Sequence, residues 1–172
     1  MRKNYTRYII LGLPRCGSNM LLSCLQQHPS ILCYNEVFNN KLLLGYPHLE
    51  KKIKSQDSII SFRNKYPLAF IEKIIFPDNA MDFSAVGFKL FYYQLEKGNF
   101  YKLWDYILSQ NDIKIIHLQR INILKQLASY RIAQKSQIWV SRHKSHLKKI
   151  NIYLDPNDCL SIFEKWSNYF QE

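Results

Sequence analysis

Apolar runs and amphipathic stretches alternate along the chain, and the alternation predicts strands followed by helices. Residues 8–13 (YIILGL) read as a buried strand, and residues 18–28 as a helix that Ser18 is able to cap. "HPS" breaks that helix, and "ILCY" at 31–34 forms a second short strand. A helical region runs from there to about Phe76; within it "PLAFIEKIIFP" has helical spacing and a proline at each end. Residues 84–93 (SAVGFKLFYY) give a third strand, 99–110 an amphipathic helix, and 113–119 (IKIIHLQ) a fourth strand. Helices over 122–137 and 156–170 complete the reading. Continuous apolar strands alternating with helices predict an α/β fold, a three-layer sandwich whose central parallel sheet is flanked by helices. In such sheets ligands gather beyond the carboxyl ends of the strands. The residues to inspect are therefore Pro14 to Ser18, Asn35 and Glu36, Lys89 to Tyr93, and Arg120.

Composition narrows the class. The 172 residues suit one domain, and 47% apolar content argues against disorder. No repeat, low-complexity tract or linker interrupts residues 1–172. Twenty-four basic against 13 acidic residues give a formal charge of +11. That balance favours anionic ligands; solubility plus one basic cleft explains it without a nucleic-acid partner. The cluster "SRHKSHLKK" at 141–149 reads as a solvated face. Cys16, Cys24, Cys33 and Cys159 form no C-x-x-C pair and no zinc spacing, so free thiols in a reducing compartment are expected. The N-terminal apolar run is shorter than a signal-peptide core, and no window approaches the roughly 20 apolar residues of a membrane span. The expectation is a cytoplasmic protein.

The chemistry concentrates in "LGLPRCGSNMLLSCL", residues 11–25. Gly12 and Gly17 have the G-x-x-x-x-G spacing of a phosphate loop, but Ser18 and Asn19 follow where a lysine would stand. A loop between a buried strand and a helix N-terminus still aims backbone N–H groups and the positive dipole end at an anion. Gly17 permits close approach, Pro14 stiffens the loop, and Arg15 supplies charge from within it. A nucleoside-triphosphate enzyme also needs a strand-end aspartate for Mg²⁺. Here the fourth strand leads to Arg120, which repels Mg²⁺ and attracts a second phosphate. Ser129 lies seven residues after Asn122, about two helical turns on, and so shares its face. No metal is expected.

This motif set resembles the sulfotransferases that use 3′-phosphoadenosine-5′-phosphosulfate (PAPS), in their bacterial carbohydrate and nodulation-type branch. "PRCGSNMLLSCLQQHP" is similar to the 5′-phosphosulfate loop, commonly P-R-S-G-S/T-x-L-L. "LQRINILKQLASYRIA" is similar to the 3′-phosphate motif, an arginine after a strand and a serine nine residues on. "ILCYNEVFN" and "VGFKLFYYQ" resemble softer segments of that branch. The likeness covers Tyr8 to about Trp139. It implies that Arg15, Cys16, Gly17, Ser18, Asn19 and Met20 wrap the phosphosulfate, and that Arg120 and Ser129 bind the 3′-phosphate. Cys16 stands where serine or threonine is usual, and Met20 replaces leucine. The sequence closes on "FEKWSNYFQE", where relatives usually continue with a further strand and helices, so a shortened C-terminal part is implied.

Sulfonyl transfer to an alcohol requires a general base near the acceptor oxygen. The resemblance assigns that role to a glutamate after the second strand, here Glu36; read by itself, Glu36 is a surface or capping residue. Arg15 is the expected cation on the leaving phosphate, and Lys89, at the end of the third strand, either a second one or a lysine snorkelling at the sheet end. His28 reads as an ordinary helix-terminal imidazole and His117 as a core residue. The acceptor implied by the branch is a carbohydrate or glycolipid hydroxyl, and a homodimer is allowed. Two other classes stay open: a small P-loop-type kinase, and a non-catalytic nucleotide-binding remnant.

Overall fold

A computed structural model describes residues 4–39, 56–78, 83–96, 98–140 and 150–170. The basic cluster at 141–149 and the first part of the helical region expected before Phe76 lie outside these residues. The chain divides into two compact units, Met1–Gly12 with Ser18–Leu118, and Leu13–Gly17 with Gln119–Glu172.

The first unit carries the sheet. Its strands are β1 (Thr6–Gly12), β2 (Ile31–Glu36), β3 (Ala85–Phe91) and β4 (Ile113–Leu118). They are parallel throughout, in the order β2-β3-β1-β4. The α/β class and the all-parallel sheet are those the apolar pattern predicts. Side chains alternate between the two faces, and both are covered. Helix α1 (Ser18–Leu25) lays Leu22 on Tyr8, Ile10 and Cys33. On the opposite face, Phe88 meets the rings of Phe38 and Phe76. Phe76 follows α2 (Gln56–Lys65), α3 (Pro67–Phe70) and a π turn at Ile71–Ile75. Gly87 is required where β3 runs beside β1: a Cβ there would lie 2.5 Å from the Tyr8 carbonyl oxygen and ring. At the amino end of the sheet, buried Arg7 pairs with Glu72 and Asp112 and donates to Gln110, locking the covering helix to β1.

Two expectations need correction. Tyr92 and Tyr93 do not extend β3; they open the short helix α4 (Tyr92–Leu95), where the Gln94 side-chain oxygen Oε1 accepts from the Phe91 N–H and turns the chain. A 3₁₀ turn (Gly98–Tyr101) and α5 (Lys102–Ser109) follow. His117 is not a core residue. β4 ends the sheet among the described residues, and its residues 114–117 are exposed, Ile115 and Ile116 included. His117 Nε2 sits 2.8 Å from the Tyr92 hydroxyl, whose burial pushes its proton affinity up.

The second unit holds α6 (Ile123–Ser136) and α7 (Pro156–Asn168). Asn122 caps α6 by accepting from the Lys125 N–H, and Asp155 caps α7 through the N–H groups of Asn157 and Asp158. Tyr130 of α6 packs edge-on against Trp139 and Trp166. Residues 13–17 fold into this unit, although the chain enters them from β1 and leaves them into α1. No helix of the described residues is long and apolar enough to cross a membrane.

Candidate functional site

The loop from Leu13 to Gly17 owes its shape to alternating backbone hand. Arg15 has φ 66° and Gly17 has φ 99°, with Cys16 between them outside the positive region. Successive residues of opposite hand turn their N–H groups toward one concavity, the arrangement that binds anions in phosphate loops. Arginine gains nothing locally from a left-handed conformation, so the surrounding contacts hold it there. Gln126, buried on α6, donates to the Pro14 carbonyl at 2.8 Å, and Arg120 Nη1 donates to the Arg15 carbonyl at 3.2 Å.

The same unit brings Arg15, Arg120 and Ser129 together. Arg15 Nε donates to Ser129 Oγ at 2.9 Å, and its Nη1 donates to the Trp139 carbonyl. Burial first, and the Arg120 charge second, lower the proton affinity of the Arg15 guanidinium. Two guanidinium groups thus stand close enough to repel. Among the described residues neither has a carboxylate partner. Arg15 Nη2 and Arg120 Nε and Nη2 remain without protein acceptors there. Like charges held together by carbonyls and one hydroxyl are stabilised when an anion joins them. The spacing of Asn122 and Ser129 by two helical turns places Ser129 on the face of α6 that meets the loop.

Loop chemistry predicts the behaviour of Gly17. A Cβ at this position meets nothing within 4 Å, so Gly17→Val is strained by its φ and not by a clash. The expected stability loss is on the order of 1–3 kcal/mol. Binding of 3′,5′-adenosine bisphosphate should fall by at least about tenfold, the worth of one charge-assisted hydrogen bond. Calorimetry and urea unfolding of the same preparation check both; unchanged affinity removes the loop from the site.

A second cluster lies in the first unit, at the carboxyl ends of β2 and β3. Lys89, only 1% exposed, places Nζ 3.1 Å from Glu36 Oε1 and donates to Asn19 Oδ1 at 2.6 Å. Asn39 donates its side-chain amide to Glu36 Oε2 at 2.8 Å. Both carboxylate oxygens are therefore held. This meeting depends on a bulge in β2. Tyr34 pairs with Phe88 and Glu36 with Lys89, so Asn35 is an extra residue. Without it Glu36 would oppose Leu90 and point to the other face of the sheet. The winding reverses between β1 and β3, since β1 leads toward β2 and β3 leads the other way toward β4, and Lys89 stands near the end of one of these two strands. Ligand crevices form at such switch points.

The remaining expected site residues fall around these clusters. Ser18 is buried at the start of α1, and Cys16 is buried in the loop. Met20 is 76% exposed on the first turn of α1. His28 lies beyond the end of α1 at Leu25, and its Nδ1 accepts from the Ser30 N–H. All four cysteines are free thiols. Sequence reasoning missed Asn39 and Gln126. Asn39 carried a usable signal, an amide three residues after a candidate base; Gln126 carried none beyond its place on the inward face of α6. No protein-family model, curated protein or solved structure matches the chain.

Proposed function

We propose that the protein is a PAPS-dependent sulfotransferase acting on a hydroxyl of a carbohydrate or glycolipid. The observation that carries the reading is the pair Arg15 and Arg120, held together with Ser129 and with no carboxylate partner among the described residues. The loop N–H groups and Arg15 take the donor's phosphosulfate, and Arg120 with Ser129 takes its 3′-phosphate. The acceptor oxygen attacks sulfur, the bond from sulfur to the bridging phosphate oxygen breaks, and the hydroxyl proton passes to Glu36. The bisphosphate leaves with an added negative charge, which the guanidinium groups offset. Lys89 has a matching part. It pairs with Glu36, and the reading assigns it as the second cation for the leaving group. Arg120, standing where a magnesium-binding aspartate would be needed, disfavours triphosphate chemistry.

Thermal denaturation with ligands tests the class. Stabilisation grows as RT ln(1 + [L]/Kd), so 3′,5′-adenosine bisphosphate should raise the melting temperature without Mg²⁺. A larger shift with Mg·ATP would favour a kinase, and no shift with either would favour the non-catalytic remnant.

A further inference from the structure

Arg63 presents a cost without an evident return. It lies on α2 and is 2% exposed. Its Nη1 donates to the carbonyls of Val37 at 2.8 Å and Asn39 at 2.6 Å, while Nε and Nη2 donate to Asn64 Oδ1. The guanidinium also lies over the Phe100 ring, 5.7 Å from its centroid, and that ring packs on Phe38. No carboxylate faces it among the described residues. Arg7, the other buried arginine of this unit, has two. Burying a guanidinium without a counter-charge is unfavourable, a cost that a well-packed apolar side chain would avoid.

What this arginine fixes is the turn directly after Glu36. Val37 and Phe38 are buried within it, and the Asn39 N–H donates to the Glu36 carbonyl at 3.1 Å. The Asn39 side chain then reaches back to Glu36 Oε2. We infer that Arg63 is a positioning residue that acts through Asn39 to aim the Glu36 carboxylate. The chain of contacts runs from guanidinium to the Asn39 carbonyl, and from the Asn39 amide to Oε2, with Lys89 holding Oε1 from the other side. Arginine suits the task because one planar group clamps two carbonyls and an amide at once. The inference rests on the proposed role of Glu36 as base, and its test separates the two.

The test compares wild type with Arg63→Lys, Arg63→Met and Asn39→Ala. Turnover of PAPS with an acceptor should fall in the order wild type, Arg63→Lys, Arg63→Met, by about 10–100-fold at the end of the series, the scale of an ångström of misplacement. Asn39→Ala should match Arg63→Met. Bisphosphate affinity should stay within about twofold, since no donor contact is touched. An activity-independent reading comes from the Asn39 side-chain amide resonances, identified by their loss in Asn39→Ala. They should shift on Glu36→Gln in the wild-type background and not in Arg63→Lys. Wild-type turnover in the folded variants, or an Asn39 signal that still responds to Glu36→Gln in Arg63→Lys, overturns the inference. Parallel loss of turnover and bisphosphate affinity also overturns it, marking Arg63 as structural. Failure of wild type to bind bisphosphate would sink the sulfotransferase reading instead, and the Asn39 resonances would still decide whether Arg63 aims Glu36. If Arg63→Met does not fold, Asn39→Ala and Arg63→Lys carry the comparison.

Discussion

Glu36→Gln should lose about 10²–10⁴ in turnover while keeping its affinity for 3′,5′-adenosine bisphosphate. The substitution keeps size and removes the basic oxygen. Its neighbours tolerate it in an identifiable way. The glutamine carbonyl still accepts from Lys89, and Asn39 needs only to turn its amide over to accept where it had donated. The ion pair with a buried ammonium is nevertheless lost, so the variant should also unfold at lower denaturant. A structural glutamate would give the stability loss without the selective loss of rate. Retained wild-type turnover in the folded mutant would remove Glu36 as base and return attention to Lys89 and to the Tyr92–His117 pair.

Arg120→Ala should weaken bisphosphate binding by about 1.5–3 kcal/mol, the range for hydrogen bonds to charged groups, or roughly 10- to 150-fold. Part of this loss is direct, through the phosphate. Part comes through the loop, because Arg120 also holds the Arg15 carbonyl in its left-handed turn. Ser129→Ala should cost less, since it removes one neutral hydroxyl. It also frees Arg15 Nε, which donates to Ser129 Oγ. Titration calorimetry of both variants reads the two losses. Equal affinity of Arg120→Ala and wild type would place the phosphate elsewhere.

Much of this arrangement was legible in the sequence because it is local. The strand–loop–helix around Arg15, and the capped helix after Arg120, are each encoded by a short run with its own turn chemistry, and the structure brings Arg15, Arg120 and Ser129 together. Sheet order, edge position and strand irregularity are not local. β4 reads as a core strand by composition, and only pairing shows that it ends the sheet among the described residues. The Asn35 bulge has no signature in "ILCYNEVFN", yet it decides whether Glu36 faces Lys89 or the opposite side of the sheet. Arg63 was invisible for a further reason. It lies in a stretch with no clear punctuation, and a lone arginine on a helix ordinarily points to water. Tyr92 and Tyr93 failed in the opposite sense, since strand-like residues were turned into helix by one glutamine side chain.

The most direct test of the sulfotransferase reading is the contribution of the 3′-phosphate to binding. Calorimetry in the absence of Mg²⁺ should show 3′,5′-adenosine bisphosphate binding wild type at least about tenfold more tightly than adenosine 5′-monophosphate, from one charge-assisted contact or more. Arg120→Ala should erase most of that difference. If the two nucleotides bind wild type equally, Arg120 and Ser129 are not a 3′-phosphate site, and the protein does not recognise the sulfate donor in the proposed way.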